Sequence, residues 1–530
     1  MEFLDAMRHG VASHDGLNAA SPDPSVDSLS GLRLADVLPS GSVGQHVVAL
    51  LSRLEEQAPR VGYYAAMAEA TSGLRLLRSL NSRSRRFVGD ALHNIVRLLR
   101  RLRALASRSA TENLRKPSAP QLYVIWLAEQ LAGPLSGPLS GPVADRADHP
   151  DGAVPPSLGP LLSRLGLSAA RLHTARRDLA DRLDRLGQLD GDAQIDALGE
   201  SLSYPSWLVR SFVSAFATDS EAGGDAGAGL ARCVEILRAQ NDRAPLCVRV
   251  NPLRATREQA ADRLRSEGLV ARPTPLSSCG LYLEGHANVY ATQTFVEGWI
   301  ELQDEGSQLI AEAVAPPPGG VVVDACAGAG GKTLALGALL ANRGRILSMD
   351  VDRRKLDELL RRCRRAGLSN VQALAVPDSW TLDGGATCLP SWLRTGLADR
   401  VLVDAPCSGL GVLRRNPEAR WRLSPGDLTE LAATQARLLH GAAALVRPHG
   451  RLIYSTCTVL PQENQDIVQA FLASHPDFVP VPIKEIFGST RARPCSDPDG
   501  LYLQTVPGPQ ATGSPGSPDG FFAAVLRRVR

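Results

Sequence analysis

The chain has 530 residues, of which 44% are apolar and 21% charged, with a net charge of +3. That length exceeds what one hydrophobic core organises, so several domains are expected, and the composition excludes disordered and collagenous classes. Mild basicity permits a nucleic-acid partner without requiring one; with only Lys116, Lys332, Lys355 and Lys484 as lysines, the arginine excess reads as compositional bias. Nine cysteines without CxxC or paired Cys/His spacing argue against a disulfide framework or structural zinc, and point to a reducing cytoplasm with no metal. No apolar stretch reaches membrane-spanning length, and MEFLDAMRHGVASHDG lacks the basic start and apolar run of a signal peptide, so no membrane partner is expected.

In chain order, residues 1–44 are rich in Ser, Asp, Pro and Gly and predict a flexible leader. Residues 45–200 predict a helical domain: VVALLSRLEEQ and FVGDALHNIVRLLRRLRAL repeat apolar residues every three or four positions, and the pattern resumes in LSAARLHTARRDLADRLDRLGQL. Between them, 133–160 opens with the tandem GPLSGPLSGP and reads as a linker. A small α+β module is expected over 201–295. It has helices in YPSWLVRSFVSAF and AGLARCVEILRAQ, a strand in LCVRVNP, a helix in TREQAADRLRSEG with Thr256 as N-cap and Glu258 in its first turn, and a strand in LYLEG.

From 296 to 530 strand and helix alternate. The strands are GVVVDA, RILSMD, VQALAV, DRVLVDA and RLIYST; the helices include KTLALGALLAN, RRKLDELLRRCRRAG and DLTELAATQARLLHGAAALV. This rhythm predicts an α/β domain with a doubly wound, mostly parallel sheet, closed by an antiparallel hairpin of GLYLQTV and GFFAAVLRRV. Such sheets bind ligands at the carboxyl ends of their strands.

VVVDACAGAGGKT runs from a strand through glycines into a helix, which lets a polar cofactor tail approach bare backbone and free N–H groups. A phosphate-cradling loop would need glycine where Cys326 stands, and a dinucleotide fingerprint would need one at Thr333. Both patterns fail by one residue; with Asp350 at the next strand end placed for ribose hydroxyls, the loop favours a nucleoside cofactor, S-adenosylmethionine being the third candidate, and the alternative is a glycine-rich turn before a packed helix. Two further strands end in Asp404-Ala405-Pro406-Cys407 and Thr456-Cys457. Carbon 5 of cytosine is too electron-poor to attack a sulfonium methyl, but a thiolate bonded to carbon 6 turns the ring into an enamine, and an acid such as Asp404 can hydrogen-bond N3 and N4 of the base. Amine methylation is disfavoured because no aromatic follows Asp404-Ala405-Pro406.

APLCVRVN, IELQDEGSQL, DACAGAGGKT, DAPCSGLGVLRRNP, YSTCTVLPQEN and DGFFAAVLRR together resemble the RsmB/Sun/Nop family of S-adenosylmethionine-dependent RNA cytosine-5 methyltransferases, from about Ser203 to the C-terminus. The resemblance implies a Rossmann-like class I methyltransferase domain with a seven-stranded sheet, a preceding RNA-contacting module, and, more faintly, the all-α N-terminal domain of members acting on 16S ribosomal RNA. It implies that Cys457 is the nucleophile and Cys407 assists release; the competing assignment reverses them. It implies cofactor contacts from Cys326, Ala327, Gly328, Ala329, Gly330, Gly331 and Lys332, from Asp350, from an acid after the third strand, and from Asp404. That segment here is VQALAVPDSW, where the family commonly has Gly-Asp, and Asp378 is the candidate. Gly328-Ala329 replaces the usual Ala-Pro, which removes loop rigidity but no ligand group. Arg75, Arg78, Arg83, Arg85, Arg86, Arg97, Arg100, Arg101 and Arg103 form a basic helical region that either grips phosphates or is simply a solvated face. The expected partner is RNA, in the first place ribosomal RNA. The alternatives are a non-catalytic RNA-binding ribosome-assembly factor that keeps the fold, and a methyltransferase acting on protein or a small molecule.

Overall fold

The computed structural model describes residues 43–54, 80–132 apart from 115, 154–217, 226–284, 288–380, 398–508 and 516–530, with isolated positions between 37 and 56. Most of the expected leader, the tandem repeat, Arg75 and Arg78 lie outside the described residues. The chain divides into two compact units: Met1–Asp242 with Asn416–Arg422, and Arg243–Arg415 with Leu423–Arg530.

The first unit is helical, with helices at Ser82–Arg97, Leu99–Ser109, Ala119–Ala132, Ala169–Asp184, Gly191–Leu202, Ser206–Ala217 and Ala226–Ala239. The division at Asp242 assigns the last two helices to this unit, although the sequence suggested grouping them with the α+β module. Its core gathers Leu92, Ile95, Leu102, Leu122, Ile125, Leu172 and Leu179 from successive amphipathic faces. Glu129 sits in that interior between Arg101 and Arg176. Burial alone would raise its carboxyl, but the two guanidinium groups outweigh that and hold it low.

The second unit opens with a four-stranded antiparallel sheet in the order β2-β3-β1-β4, built from β1 (Leu246–Val250), β2 (Ala271–Pro273), β3 (Gly280–Leu283) and β4 (Ile300–Leu302). Helix α1 (Arg257–Ser266) begins in a capping box: Thr256 Oγ1 accepts from Gln259 N at 3.2 Å, and Thr256 N donates to Gln259 Oε1 at 2.9 Å. β4 carries this sheet past residue 295, because Ile300 pairs with Val250.

The large sheet follows after α2 (Glu305–Val314). Its strands are β5 (Val321–Asp324), β6 (Arg345–Asp350), β7 (Val371–Ala375), β8 (Ala398–Asp404), β9 (Val446–Thr456), β10 (Phe478–Pro480), β11 (Leu503–Thr505) and β12 (Phe521–Arg528). The order is β10-β12-β9-β8-β5-β6-β7, with β11 also on β12. β5 through β9 pair in parallel and the β12 contacts are antiparallel, as the doubly wound reading requires. β11 and β12 form the expected antiparallel hairpin, and eight strands stand where seven were expected because the three-residue strand β10 also joins β12.

Alternation along the strands makes two cores. Val323, Val401, Val403, Leu452, Tyr454 and Phe522 face one side; Val322, Leu402, Ile453, Ala523 and Val525 face the other. Helices α3 (Gly331–Leu339), α4 (Arg353–Ala366), α5 (Pro425–Ala443) and α6 (Gln465–Ser474) cover these faces. α4 buries Leu356, Leu359, Cys363 and Ala366 along one stripe and ends at Gly367, whose φ of 77° suits a left-handed cap.

A buried ion network pins the segment after Cys407. Asp519, fully buried, binds Arg414 and Arg415, and Arg415 Nη2 also reaches Asp304 at 2.7 Å. Burial pushes Asp304 up to about 6, with the Asp519 charge adding to the rise. The Asp519 carboxyl, despite the same desolvation, is held low by the two arginines. Removing one member of such a group leaves an uncompensated charge. Asp519→Ala should therefore destabilise this unit by about 3–5 kcal/mol, read as a lowered midpoint in urea; a loss below about 1 kcal/mol would mean that the network is solvent-relaxed.

Candidate active site

β8 and β9 run parallel with Asp404 opposite Ser455, so the residues just past each strand emerge side by side. Cys407 Sγ and Cys457 Sγ stand 3.3 Å apart, and Cys457 N donates to Cys407 Sγ at 3.3 Å. Both thiols are partly exposed. Gly411 makes the close turn possible: its N donates to Cys457 O at 2.9 Å, and a Cβ there would lie 2.1 Å from Gly520 O. The Cys407 thiol is pushed well up, first by its hydrogen bond with Cys457, then by burial, then by the Cys457 and Glu463 charges.

Asp404 is braced on both oxygens. Lys332 Nζ donates to Oδ2 at 2.6 Å and Ser455 Oγ to Oδ1 at 3.0 Å, while the carboxylate side chain stays 30% exposed. Burial pulls the Lys332 ammonium down, but the Asp404 charge reverses this and the net shift is upward. Lys332 is therefore a cation locked to one acid, and Asp404 keeps lone pairs for a further donor.

The glycine loop lies between β5 and α3. Ala327 N donates to Met349 O at 2.8 Å, and Gly328 N donates to Asp350 Oδ2 at 2.8 Å, so the loop is sewn to the end of β6. Gly330, at φ 88°, packs so closely that a Cβ would come within 2.6 Å of Leu359. Gly328 has φ 54° and open space around its missing Cβ. No side chain caps α3, which leaves its first-turn N–H groups for an anion. Burial, then the neighbouring carboxylates, push the Cys326 thiol up, so it packs as a neutral group. The uncapped turn, the open face at Gly328 and the Asp350 carboxylate fit an amino-acid-bearing nucleoside. Thr333 explains why the loop is not a dinucleotide fingerprint: it is buried, donates to Asp324 Oδ2 at 2.7 Å and lies 3.0 Å from Ser348 Oγ.

Asp378 lies in the turn after β7 with its side chain 85% exposed, and its described partner is Arg437 at 3.8 Å. The structure thus sets it at the carboxyl end of β7 without drawing it onto the loop. Of the basic helical region, Arg97 and Arg101 are buried, and Arg100 pairs with Asp196. Arg86 is exposed, and Arg85 and Arg103 are half-buried. Part of that charge therefore serves the interior of the helical unit. Among the described residues no group of three or more His, Cys, Asp or Glu is placed to hold a metal ion, and no helix is long and apolar enough to cross a membrane.

Sequence reasoning passed over four residues that hold the site. Arg362 of α4 donates to Ala329 O at 2.7 Å and to Glu301 Oε2 at 3.1 Å, clamping the loop where the family's proline is missing. Glu463 and Gln435 brace the cysteine loops: Glu463 Oε1 accepts from Ser408 N at 2.9 Å and from Gln435 Nε2 at 3.0 Å. The signal for Glu463 and Gln435 was a carboxylate in VLPQEN and an amide among small and apolar residues in LAATQARLL.

Asp324, at the end of β5, is buried with Oδ1 unpartnered. Desolvation pushes its carboxyl up to about 7, against the pull of the Thr333 hydrogen bond. A folded-state pKa raised above the unfolded one gives stability that is complete at low pH and lost as pH rises through about 7. Asp324→Asn, always neutral, should remove that loss, so the variant gains on the wild type as pH rises from about 4 to about 7. Thermal midpoints across that range test it; a difference that does not vary with pH would show a solvated carboxyl.

Family comparison places this geometry. The 16S rRNA methyltransferase RsmB/F model matches residues 311–527, and the ferredoxin-like domain model of RsmF/B-like methyltransferases matches residues 204–290. The probable ribosomal RNA small subunit methyltransferase B of Bacillus subtilis (strain 168) is 33% identical over 331 residues, covering 62% of this chain and 68% of the relative. Ribosomal RNA small subunit methyltransferase B of Salmonella newport (strain SL254) is 33% identical over 324 residues, 61% of this chain and 66% of that protein, so the match spans just under two thirds of the latter. The crystal structure of PH0851 is similar with a TM-score of 0.63 at 24% identity, over 91% of this chain and 98% of that one, which speaks to the fold. On these grounds the chain belongs to the RsmB/F methyltransferase family.

Proposed function

We propose that this protein methylates carbon 5 of a cytosine in ribosomal RNA, with Cys457 as the attacking nucleophile. The observation that carries the reading is the pair of sulfurs 3.3 Å apart at adjacent strand ends, beside the braced Asp404. Two thiols suit a pyrimidine carbon, whereas oxygen and nitrogen acceptors need no ring activation. The family match and the ferredoxin-like module at 204–290 support an RNA substrate.

S-adenosylmethionine, when bound, supplies an electrophilic methyl group on a sulfonium. The residues that would hold it are Cys326 through Lys332 and Asp350, with Asp404 and Asp378 at the strand ends beyond. Asp404 then accepts a hydrogen bond from the N4 amino group of the cytosine, and from N3 once the ring is protonated there during attack, in the position that Lys332 and Ser455 fix for it. The Cys457 thiolate forms a bond to carbon 6, and the electron pair moves to carbon 5. Carbon 5 would take the methyl group as the methyl–sulfonium bond breaks and a neutral thioether leaves, and for a moment would carry both that group and its original hydrogen. A base removes this proton, the electrons restore the ring double bond, and the sulfur–carbon 6 bond breaks to return the Cys457 thiolate. Cys407, kept as a neutral thiol, serves this release step. The division goes with the reading: a helical domain, an RNA-contacting module whose family match runs from 204 to 290 and whose sheet closes with β4, and the methyl-transfer domain beyond.

Cys457→Ala should reduce formation of 5-methylcytosine in a 16S ribosomal RNA transcript to background, measured by bisulfite sequencing. Cys407→Ala should instead accumulate a covalent protein–RNA adduct, seen as a slow-migrating band on a denaturing gel. The opposite pattern would reverse the two roles. Calorimetry showing no S-adenosylmethionine bound by the intact chain would favour the assembly-factor alternative.

A further inference from the structure

The two cysteines are chemically alike, and both are partly exposed at one cleft, so something must decide which sulfur attacks. Glu463 lies six residues past Cys457, in the short turn Pro461–Glu463, and is fully buried. Its Oε1 accepts from Ser408 N and Gln435 Nε2, and its Oε2 accepts from Ser408 Oγ at 2.5 Å. Gln435 Nε2 also donates to Pro406 O at 3.0 Å, so both neighbours of Cys407 are tied to this pair. Asn464 does the same for Cys457: its Oδ1 accepts from Thr456 Oγ1 at 2.6 Å, and its Nδ2 donates to Thr458 O at 3.1 Å. The Glu463–Asn464 dipeptide thus holds the residues on either side of each sulfur and leaves the sulfurs to face each other.

Those bonds alone do not require a charge. All the donors to Glu463 are neutral, and none of its described contacts is an ion pair, although burying a carboxylate without a cation costs several kcal/mol. A neutral residue of the same shape would brace the loops at less expense. The charge has an evident target: it acts on the Cys407 sulfur, while the Lys332 ammonium acts on Cys457.

We propose that Glu463 is the positioning residue that selects the nucleophile: buried beneath the Cys407 loop, it fixes Ser408 and, through Gln435, Pro406, so that Cys457 and not Cys407 is the sulfur that attacks. This rests on the cytosine-5 reading above. The titratable groups around Cys407 are Cys457 and Glu463, with the Tyr454 hydroxyl behind them; Lys332 faces Cys457.

The test is site-resolved alkylation by iodoacetamide across pH, quantified by mass spectrometry on the full chain. In the wild type Cys457 should react first and Cys407 lag; faster reaction at Cys407 would overturn the proposal without any variant. In Glu463→Gln the negative charge is gone, so the thiolate of Cys407 is less disfavoured and its alkylation curve moves to lower pH. A move of about one unit gives about tenfold faster labelling at a fixed pH. Glu463→Asp, which keeps the charge, should leave that curve near the wild type. Methyl transfer to a 16S ribosomal RNA transcript should fall about 10- to 100-fold in kcat for Glu463→Gln, with KM for RNA within about threefold, since misplacement of a reacting group by an ångström costs that much. A fall in kcat with an unchanged Cys407 curve would make Glu463 a mere brace and overturn the proposal, as would wild-type values for both. Wild-type protein assayed in parallel separates the two readings. Absence of 5-methylcytosine there removes the cytosine-5 assignment, whereas the alkylation curves report on Glu463 without RNA.

Discussion

The parallel pairing of β8 with β9 is the constraint on which the rest depends. With Asp404 opposite Ser455, the two strands end level, and the chain leaves each through a few residues that meet above the sheet edge. Because side chains alternate with a period of two, a one-residue slip would exchange the faces of both strands and part the sulfurs. Resistance to slipping comes from the two cores: Val401 and Val403 belong to one side and Leu402 to the other, with Leu452, Tyr454 and Ile453 beside them in the same alternation. Packing deep in the sheet therefore sets a 3.3 Å sulfur contact at its rim.

Charge at the rim is sorted. Lys332 comes up from the first turn of α3 to meet Asp404, Asp350 takes a backbone N–H of the glycine loop, and Glu463 sits beneath the cysteine loops. Each carboxylate accepts from a specific donor set, which is the condition for keeping polar groups at low solvent exposure. Asp324 departs from this pattern: with one oxygen unsatisfied, its carboxyl is pushed up to about 7.

The glycine loop shows how one feature substitutes for another. Gly328-Ala329 lacks the stiffening that a proline would give, yet the Ala329 carbonyl is held by Arg362 at 2.7 Å, and Arg362 is itself set by Glu301 on β4. Glu301 also pairs with Arg365 one turn further along α4. The four-stranded sheet thus reaches the glycine loop through a buried carboxylate and one arginine, and rigidity lost from the backbone returns through side chains.

The alternation of strands and helices, the glycine loop, Asp350, Asp404 and both cysteines were legible because each belongs to a local pattern: a run of apolar residues, a turn that only glycine can make, an acid or thiol just past a strand. Thr256 and its capping box were legible for the same reason. Asp378 was placed by chain order alone, and the structure leaves it in an exposed turn beside Arg437. The basic helical region looked uniform, yet Arg97 and Arg101 point inward, because Glu129, across the helical core, offers Arg101 a buried partner that no spacing reveals. Glu463, Gln435, Arg362 and Asp519 act through partners 28 to 105 residues away, and the joining of β10 to β12 is equally non-local, whereas the β11–β12 hairpin was legible from the sequence. The sequence by itself determined which segments are strands, where the loops need glycine, and which strands end in a thiol or a carboxylate, since those follow from neighbours along the chain. Only the tertiary structure decided how the two sulfurs meet and which charges stand beside each, because that depends on the register between strands and on side chains that the fold brings together.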